Sequence, residues 1–449
     1  MFNKVSSSAV MGIDGVVIQV EADVSDGLPM FSMVGCLSPS VREAGERVRT
    51  ALKNSDFYLP PKRITVNLSP GNIKKYGTGF DLPIAVAILL CMGITPEENV
   101  RLDKTLIIGE LGLNGMVKPV NGILPMIYDC HELGYDTCIV PCENMKEAAL
   151  VEGMKVFGVE SLKQAVDFIT GISSMESYKF GYEYDILQKG KLDFSEIKGQ
   201  ESIKRGMEIA AAGFHNVLMA GAAGAGKSMI AKRLPTIMPK MTFEESVQVT
   251  KIYSINGMLN SGRGLICDRP FRSPHHTITG RALIGGGVNP RPGEVSMAHN
   301  GVLFLDEMPE FNKNVLEVLR QPIEDRKVSL SRVNASYVFP SDFMLVAAMN
   351  IATTKLIQCG IAEMPENKAF HGFCGFIFSF FKPFFLLREQ LRFLILHHFL
   401  TIAGIVKRYK LSKLRTVYSD CSDCIIAGNL LFLCSQTLVG HCNVILSHL

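Results

Sequence analysis

The stretch from His215 to Leu234, HNVLMAGAAGAGKSMIAKRL, constrains this chain more than any other. Its apolar start reads as a short strand ending at Gly221, a Gly/Ala loop follows, and Lys227-Ser228 open a helix. Gly221-x4-Gly226-Lys227-Ser228 fits the pattern G-x-x-x-x-G-K-[ST] without a gap. Small residues in this order let successive backbone N–H groups turn inward, and the helix N-terminus adds positive potential. Together they make a cradle for phosphate. Gly221, Ala222, Ala223, Gly224, Ala225, Gly226, Lys227 and Ser228 are therefore the candidate nucleotide-binding residues. In such a cradle Lys227 reaches the β- and γ-phosphates and the Ser228 hydroxyl holds Mg²⁺, so the implied cofactors are ATP and Mg²⁺.

The second half of a nucleotide site follows at Gly301-Val302-Leu303-Phe304-Leu305-Asp306-Glu307. Four apolar residues and then two carboxylates describe a buried parallel strand ending at the sheet edge, where open α/β sheets bind ligands. Asp306 is the second candidate for the Mg²⁺ shell, and Glu307 is placed to polarise an attacking water. A third strand, Phe343–Met349, ends in Asn350; its resemblance to the AAA+ pattern implies that Asn350 would orient that water, the alternative being a simple turn. The catalytic candidates are thus Lys227, Asp306, Glu307 and Asn350.

The surroundings of this core are α/β in pattern. At 449 residues the chain is long enough for two or three domains. Its formal charge of +3 gives no global basic surplus, so contact with DNA must come from local patches or a shared pore. Twelve cysteines without framework spacing, and an N-terminus without a signal-peptide core, predict a reduced, cytoplasmic protein. Residues 1–172 alternate as strands at Val16–Val24, Phe31–Val34, Arg63–Leu68, Thr105–Leu111 and Thr137–Val140. Helices are predicted from Ser40 to Leu52 and over Asp81–Met92. A polar, aperiodic linker at 173–190 leads to the core, 191–350, whose first segment resembles the one that packs beside adenine in AAA+ ATPases, which implies Ile197 and Gly199 as candidates for a base pocket. Between the two halves of the site, FRSPHHTITGRALIGGGVNPRPGEVSMAHNG and later KVSLSRVNASYVF read as a loop or hairpin insert and a hairpin. Arg272, Arg281, Arg291, Lys327 and Arg332 put positive charge on them, either as solvated surface or as a grip on phosphate backbone. His275 and His276, being adjacent, are expected to point in different directions and not to bind metal.

Two N-terminal segments, KYGTGFDLPIAVA and IIGELGLNGMVKPVNGIL, resemble the proteolytic domain of the Lon family, a ribosomal protein S5 domain 2-like fold. The resemblance places the Lon nucleophile at about Ile84 and its lysine at about Leu124, neither of which can perform acyl transfer. It implies the fold without protease activity. FRSPHHTIT, GEVSMAHNGVLFLDEMPEF, VLRQPIEDRKVSLSR and FMLVAAMN, taken with that domain, resemble the Mg-chelatase-like AAA+ ATPase family, also called YifB or ComM. This resemblance implies a P-loop AAA+ core, assembly as a homo-oligomeric ring, hexameric by family precedent, and for its ComM members DNA branch migration in natural transformation. Arg320 or Arg326 would face a neighbouring subunit. A chelatase-like or protein-remodelling chaperone, or a truncated nucleotide binder, would carry the same core.

After Asn350 the resemblance is expected to stop, leaving 351–449 as a tail of unknown fold in place of a helical lid and arginine finger. A frameshift or rearrangement accounts for the change. The apolar runs Phe370–Phe381 and Leu391–Val406 are shorter than the roughly 20 residues that span a bilayer, so no membrane partner is expected. Cys421, Cys424, Cys434, His441 and Cys442 lack workable zinc spacing.

Overall fold

The computed structural model describes residues 1–97, 102–179, 192–259, 264–287, 289–332 and 335–350, and the backbone of strands at 425–427, 430–436 and 442–448. Strands β1 (Phe2–Met11), β2 (Asp14–Ser25), β3 (Met30–Val34), β4 (Arg63–Ser69) and β5 (Thr105–Ile107) begin the first sheet. Next, β6 (Glu110–Leu111) and β7 (Val117–Lys118) pair with each other, and β8 (Thr137–Pro141) and β9 (Lys155–Val159) complete the sheet. Its order is β3-β4-β2-β1-β5-β8-β9. The β1, β2 and β4 strands run antiparallel, whereas β5, β8 and β9 are parallel. The helices here are α1 (Pro39–Arg42), α2 (Ala44–Asn54), α3 (Asp81–Cys91), α4 (Ile123–Glu132), α5 (Met145–Ala148) and α6 (Leu162–Ile169). Apolar residues of α1, α2, α3 and α6 form one core cluster with the sheet, and those of α4 and α5 form another.

Three expectations change. β1 was not legible because Ser6, Ser7 and Ser8 are buried within it. Ser8 donates to the Val16 carbonyl at 3.1 Å and Ser6 accepts from the Tyr135 hydroxyl at 3.1 Å, so these two side chains find partners inside the fold, while the Ser7 hydroxyl has none among the described residues. The strand predicted over Thr105–Leu111 breaks after Ile107: the Gly109 N–H donates to the Gly79 carbonyl at 2.9 Å, turning the chain out of the sheet. The helix predicted from Ser40 divides at Glu43.

The second sheet is built from residues 201–350 and the last three described strands. In chain order its elements and flanking pieces are α7 (Glu201–Gly213), β10 (Val217–Gly221), α8 (Lys227–Arg233), α9 (Phe243–Ile255) and β11 (Phe271–Arg272). Then come α10 (Gly280–Ile284), the hairpin β12 (Gly285–Gly286) and β13 (Arg291–Pro292), α11 (Glu294–Met297) and β14 (Val302–Leu305). Last are α12 (Lys313–Val318), α13 (Arg320–Asp325), the hairpin β15 (Lys327–Arg332) and β16 (Ala335–Pro340), and β17 (Met344–Asn350). The strands β11, β14, β17 and β10 are parallel neighbours in that order. β20 (Cys442–His448) lies parallel beside β10, followed outward by antiparallel β19 (Leu430–Gln436) and β18 (Ile425–Ala427). The apolar tail runs and the histidine and first two cysteines of the zinc pattern lie outside the described residues. Among those described, no helix is long and apolar enough to cross a membrane.

Inside the first domain, the fully buried Asp81 carboxylate accepts from Arg47 Nε at 2.8 Å and Nη2 at 2.9 Å. Burial pushes the Asp81 pKa up, against the pull of the guanidinium. Removing only one partner of such a pair costs about 3–5 kcal/mol, while replacing both by apolar groups is often neutral. Asp81→Ala is expected to lower the unfolding free energy by about that amount. Arg47→Met with Asp81→Leu should cost much less in the same urea denaturation experiment.

Candidate nucleotide site

The parallel sheet brings three strand ends together. In register, Gly221 at the end of β10 sits opposite Asn350 at the end of β17, and Leu305 of β14 sits opposite Ala347. The loop after β10 needs left-handed backbone at Gly224 (φ +78°) and Gly226 (φ +83°), which glycine adopts without a Cβ clash. α8 then starts at Lys227, with the Ile230 N–H bonded to the Gly226 carbonyl at 2.9 Å.

Lys227 Nζ donates to the carbonyls of Gly221 at 3.0 Å and Ala222 at 2.8 Å, and to Asn350 Oδ1 at 2.9 Å. Partial burial lowers its pKa below the usual lysine value, and the nearby Asp306 and Glu307 charges oppose that shift. Ser228 Oγ donates to Asp306 Oδ2 at 2.7 Å, while Asp306 Oδ1 accepts from the Glu307 N–H at 3.1 Å. A hydroxyl and a carboxylate at contact distance form a hard-oxygen pair suited to Mg²⁺ alongside phosphate oxygens. Glu307 is exposed and held at φ +50°, a conformation that costs a non-glycine residue and is frequent at functional sites. The four candidate catalytic side chains thus converge on one sheet edge.

Ala222, Ala223 and Gly224 are exposed, and Ala225 and Gly226 half-buried, so the loop opens to solvent. Ile197 is buried in the core beneath the site, and Gly199 has φ +69°. Gln200, which the sequence did not single out, donates from Nε2 to the Ala225 carbonyl at 2.9 Å and so clamps the loop from outside. Its own left-handed backbone (φ +57°) aims it there. Arg233 of α8 is tied to Glu196 at 3.0 Å through Nε, fixing the same preceding turn. No sequence pattern distinguishes Gln200 or Glu196 from solvated polar residues.

The flanking charges divide. Arg272 forms two hydrogen bonds with Glu294, at 2.6 and 2.7 Å, and is therefore committed within the fold and not offered to a polyanion. Arg281, Arg291 and Lys327 are exposed. Arg332 ends β15. Contrary to expectation, the His275 and His276 rings lie side by side, with centroids 4.0 Å apart and planes tilted by 36°, where the loop turns at Thr277, whose hydroxyl contacts His275 Nδ1 at 3.0 Å. Arg320 pairs with Glu324 at 3.1 Å on α13, whereas Arg326 lies beyond that helix, 3.4 Å from Asp342.

Comparison with known proteins was made against this geometry. The family described as magnesium chelatase, subunit ChlI, matches residues 193–371, and a second ChlI description matches residues 20–144. The first match runs past Asn350, where the likeness had been expected to stop. Competence protein ComM of Haemophilus influenzae is 40% identical over 354 residues, covering 78% of this chain and 69% of that protein. YifB of Escherichia coli is 39% identical over 351 residues, covering 78% and 68%. A Lon protease of Methanosphaera stadtmanae is 31% identical over 144 residues, 30% of this chain and 17% of the protease.

His299, three residues before β14 begins at Val302, was also not anticipated. Its Nδ1 accepts the Asp342 N–H at 3.1 Å, so Nε2 carries the proton and faces Gln248 Oε1 at 3.0 Å. Burial lowers its pKa from 6.5 to about 4. Between those values the unfolded chain binds a proton that the folded chain does not, so stability rises with pH through this window and is lost as pH falls. From pH 7 to pH 5 the unfolding free energy should drop by about 2 kcal/mol from this group. In urea titrations that share of the slope should vanish in His299→Asn.

Proposed function

The chain belongs to the magnesium-chelatase-like AAA+ ATPase family that includes ComM and YifB, and on that premise we propose that it hydrolyses ATP to drive a ring-shaped motor on DNA. The observation that carries the nucleotide reading is the Ser228–Asp306 contact at 2.7 Å beneath the Gly221–Ser228 loop. It supports an Mg²⁺ position shared by α8 and β14. Bound there, Mg²⁺ would neutralise charge on the β- and γ-phosphate oxygens. The backbone N–H groups of the loop hold the phosphates. Lys227 exchanges its loop carbonyls for the β/γ oxygens, offsetting charge that grows as the γ-phosphoryl group departs. Asn350, already bonded to Lys227 at 2.9 Å, is released by that exchange to orient a water. Glu307 polarises the water for in-line attack.

For DNA, support comes from exposed Arg281, Arg291 and Lys327 on or beside the two hairpins, and from the likeness to a competence protein. Arranged in a ring, these hairpins would face a common pore. A chelatase-type remodelling ATPase would use the same site but answer to a protein partner.

Steady-state ATP turnover by the full chain with Mg²⁺ tests both parts. Lys227→Ala and Glu307→Gln should each lower turnover by about 10²-fold or more, with Glu307→Gln still binding ATP. Branched DNA should raise wild-type turnover. Neutralising Arg281, Arg291 and Lys327 should remove that stimulation while basal turnover persists, and flatten the salt dependence of DNA binding by about 0.9 for each phosphate left without a cation. Turnover that ignores DNA would favour the remodelling reading, and its absence in wild type would reject the motor.

A further inference from the structure

Helix α9 lies between the two domains and is bonded to both. One face meets the first domain: Lys251 Nζ contacts Asp129 Oδ1 of α4 at 2.7 Å and sits 4.1 Å from the centroid of the Tyr128 ring. One turn on, the Ser254 hydroxyl donates to Glu147 of α5. That same Glu147 oxygen accepts the Leu124 N–H at 2.9 Å, at the start of α4. Asp129 also accepts from the Gly15 N–H at the start of β2. The seam is close-packed and reciprocal. Ile13 packs into a core cluster of the second domain, Leu265 packs into one of the first, and a Cβ on Gly257 would lie 2.8 Å from Asn121 Nδ2.

The other face of α9 meets the segment leading into β14. Gln248 is 3.0 Å from His299 Nε2, Tyr253 donates to the Met297 carbonyl at 3.1 Å, and Asn256 donates to the Pro292 carbonyl at 3.2 Å. From His299 the chain runs directly through buried β14 to Asp306. A continuous set of bonded contacts therefore joins Asp306 to Leu124, the position that the Lon resemblance gives to the catalytic lysine.

We propose that the first domain, built without protease chemistry, works as a regulatory body for the nucleotide site, coupled to it through Lys251 and Ser254 of α9. The proposal rests on the reading of the Gly221–Ser228 loop as an ATP site. Ser228 and Asp306, the pair that would hold Mg²⁺, touch at 2.7 Å. Mg·ATP seated against this pair would displace the end of β14. Because His299 and Met297 hold that segment to α9, the shift loads the Lys251–Asp129 and Ser254–Glu147 contacts. Close-packed elements of this kind answer by moving between discrete arrangements. Linkage then requires the converse: loosening the seam changes ATP affinity by the same factor that ATP changes the seam.

Two measurements on the full chain test this. In hydrogen exchange, saturating Mg·ATP is expected to change the exchange of the peptide containing Leu124 by about fivefold or more. In nucleotide titrations, Ser254→Ala and the charge-balanced pair Lys251→Met with Asp129→Asn should each shift the ATP Kd by about fivefold or more, and abolish the exchange response. The paired replacement leaves no unpartnered buried charge, and Ser254→Ala removes a single hydroxyl, so folded protein is expected from at least one. ATP binding that leaves the Leu124 peptide unchanged would overturn the coupling alone. Seam variants with wild-type Kd would do the same. Failure of ATP to bind wild-type protein would overturn the nucleotide reading, and the coupling with it.

Discussion

Everything functional in this molecule depends on the order of four parallel strands. Because β17 lies between β10 and β14, the loop after β10 and the carboxylates after β14 reach toward each other across one intervening strand end. The 2.7 Å contact of Ser228 with Asp306 is the outcome, joining residues 78 positions apart in the chain. Parallel strands force every C-terminal end to the same edge, where helix N-termini also point. The Gly221–Ser228 loop and Asp306 therefore meet without any local sequence bringing them together. The apolar runs VLMAG, VLFL and MLVAAMN supply the buried strands that make this geometry rigid.

What could be read from the sequence follows this division. The loop was legible because its chemistry is contiguous: small residues, lysine and serine in fixed order each answer to a steric or electrostatic need. Asp306-Glu307 was legible because four apolar residues precede it. Gln200, Glu196 and His299 were not, because their partners come from other elements and polar residues carry no periodicity that names a partner. Arg272 looked like a free cation until the fold set Glu294 beside it, 22 positions on. The β1 strand was hidden by three serines, since a residue type that is normally exposed is buried here among hydrogen-bonding neighbours. The adjacent histidine rings show the same limit: side-chain direction in a loop is set by where the loop returns.

The first domain fills with apolar side chains the two positions that the Lon resemblance singles out. Ile84 and Leu124, at the two positions that the Lon resemblance assigns to nucleophile and base, are both fully buried. Ile84 belongs to α3, every residue of which is buried, so it contributes to the core that holds the sheet. Leu124 lies in the other cluster, with further residues of α4 and β8. Apolar side chains at these places improve packing where a serine and a lysine would need partners.

The start of α4 is closed over by Glu147 and Ser254. A carboxylate desolvated at a helix start is tolerated because three donors face it: the Leu124 N–H, the Ser254 hydroxyl and the Asn144 amide. One of the three belongs to the second domain, so the polar satisfaction of the first domain depends on the presence of the other. Buried polar groups with a shared partner resist sliding far more than apolar contacts do, because every displacement leaves a donor or acceptor unpaired. The seam is therefore a stiff connection at two points, Lys251 and Ser254, one helical turn apart on α9. A helix pinned at both points on one side, and at Gln248 and Tyr253 on the other, moves as a unit or not at all.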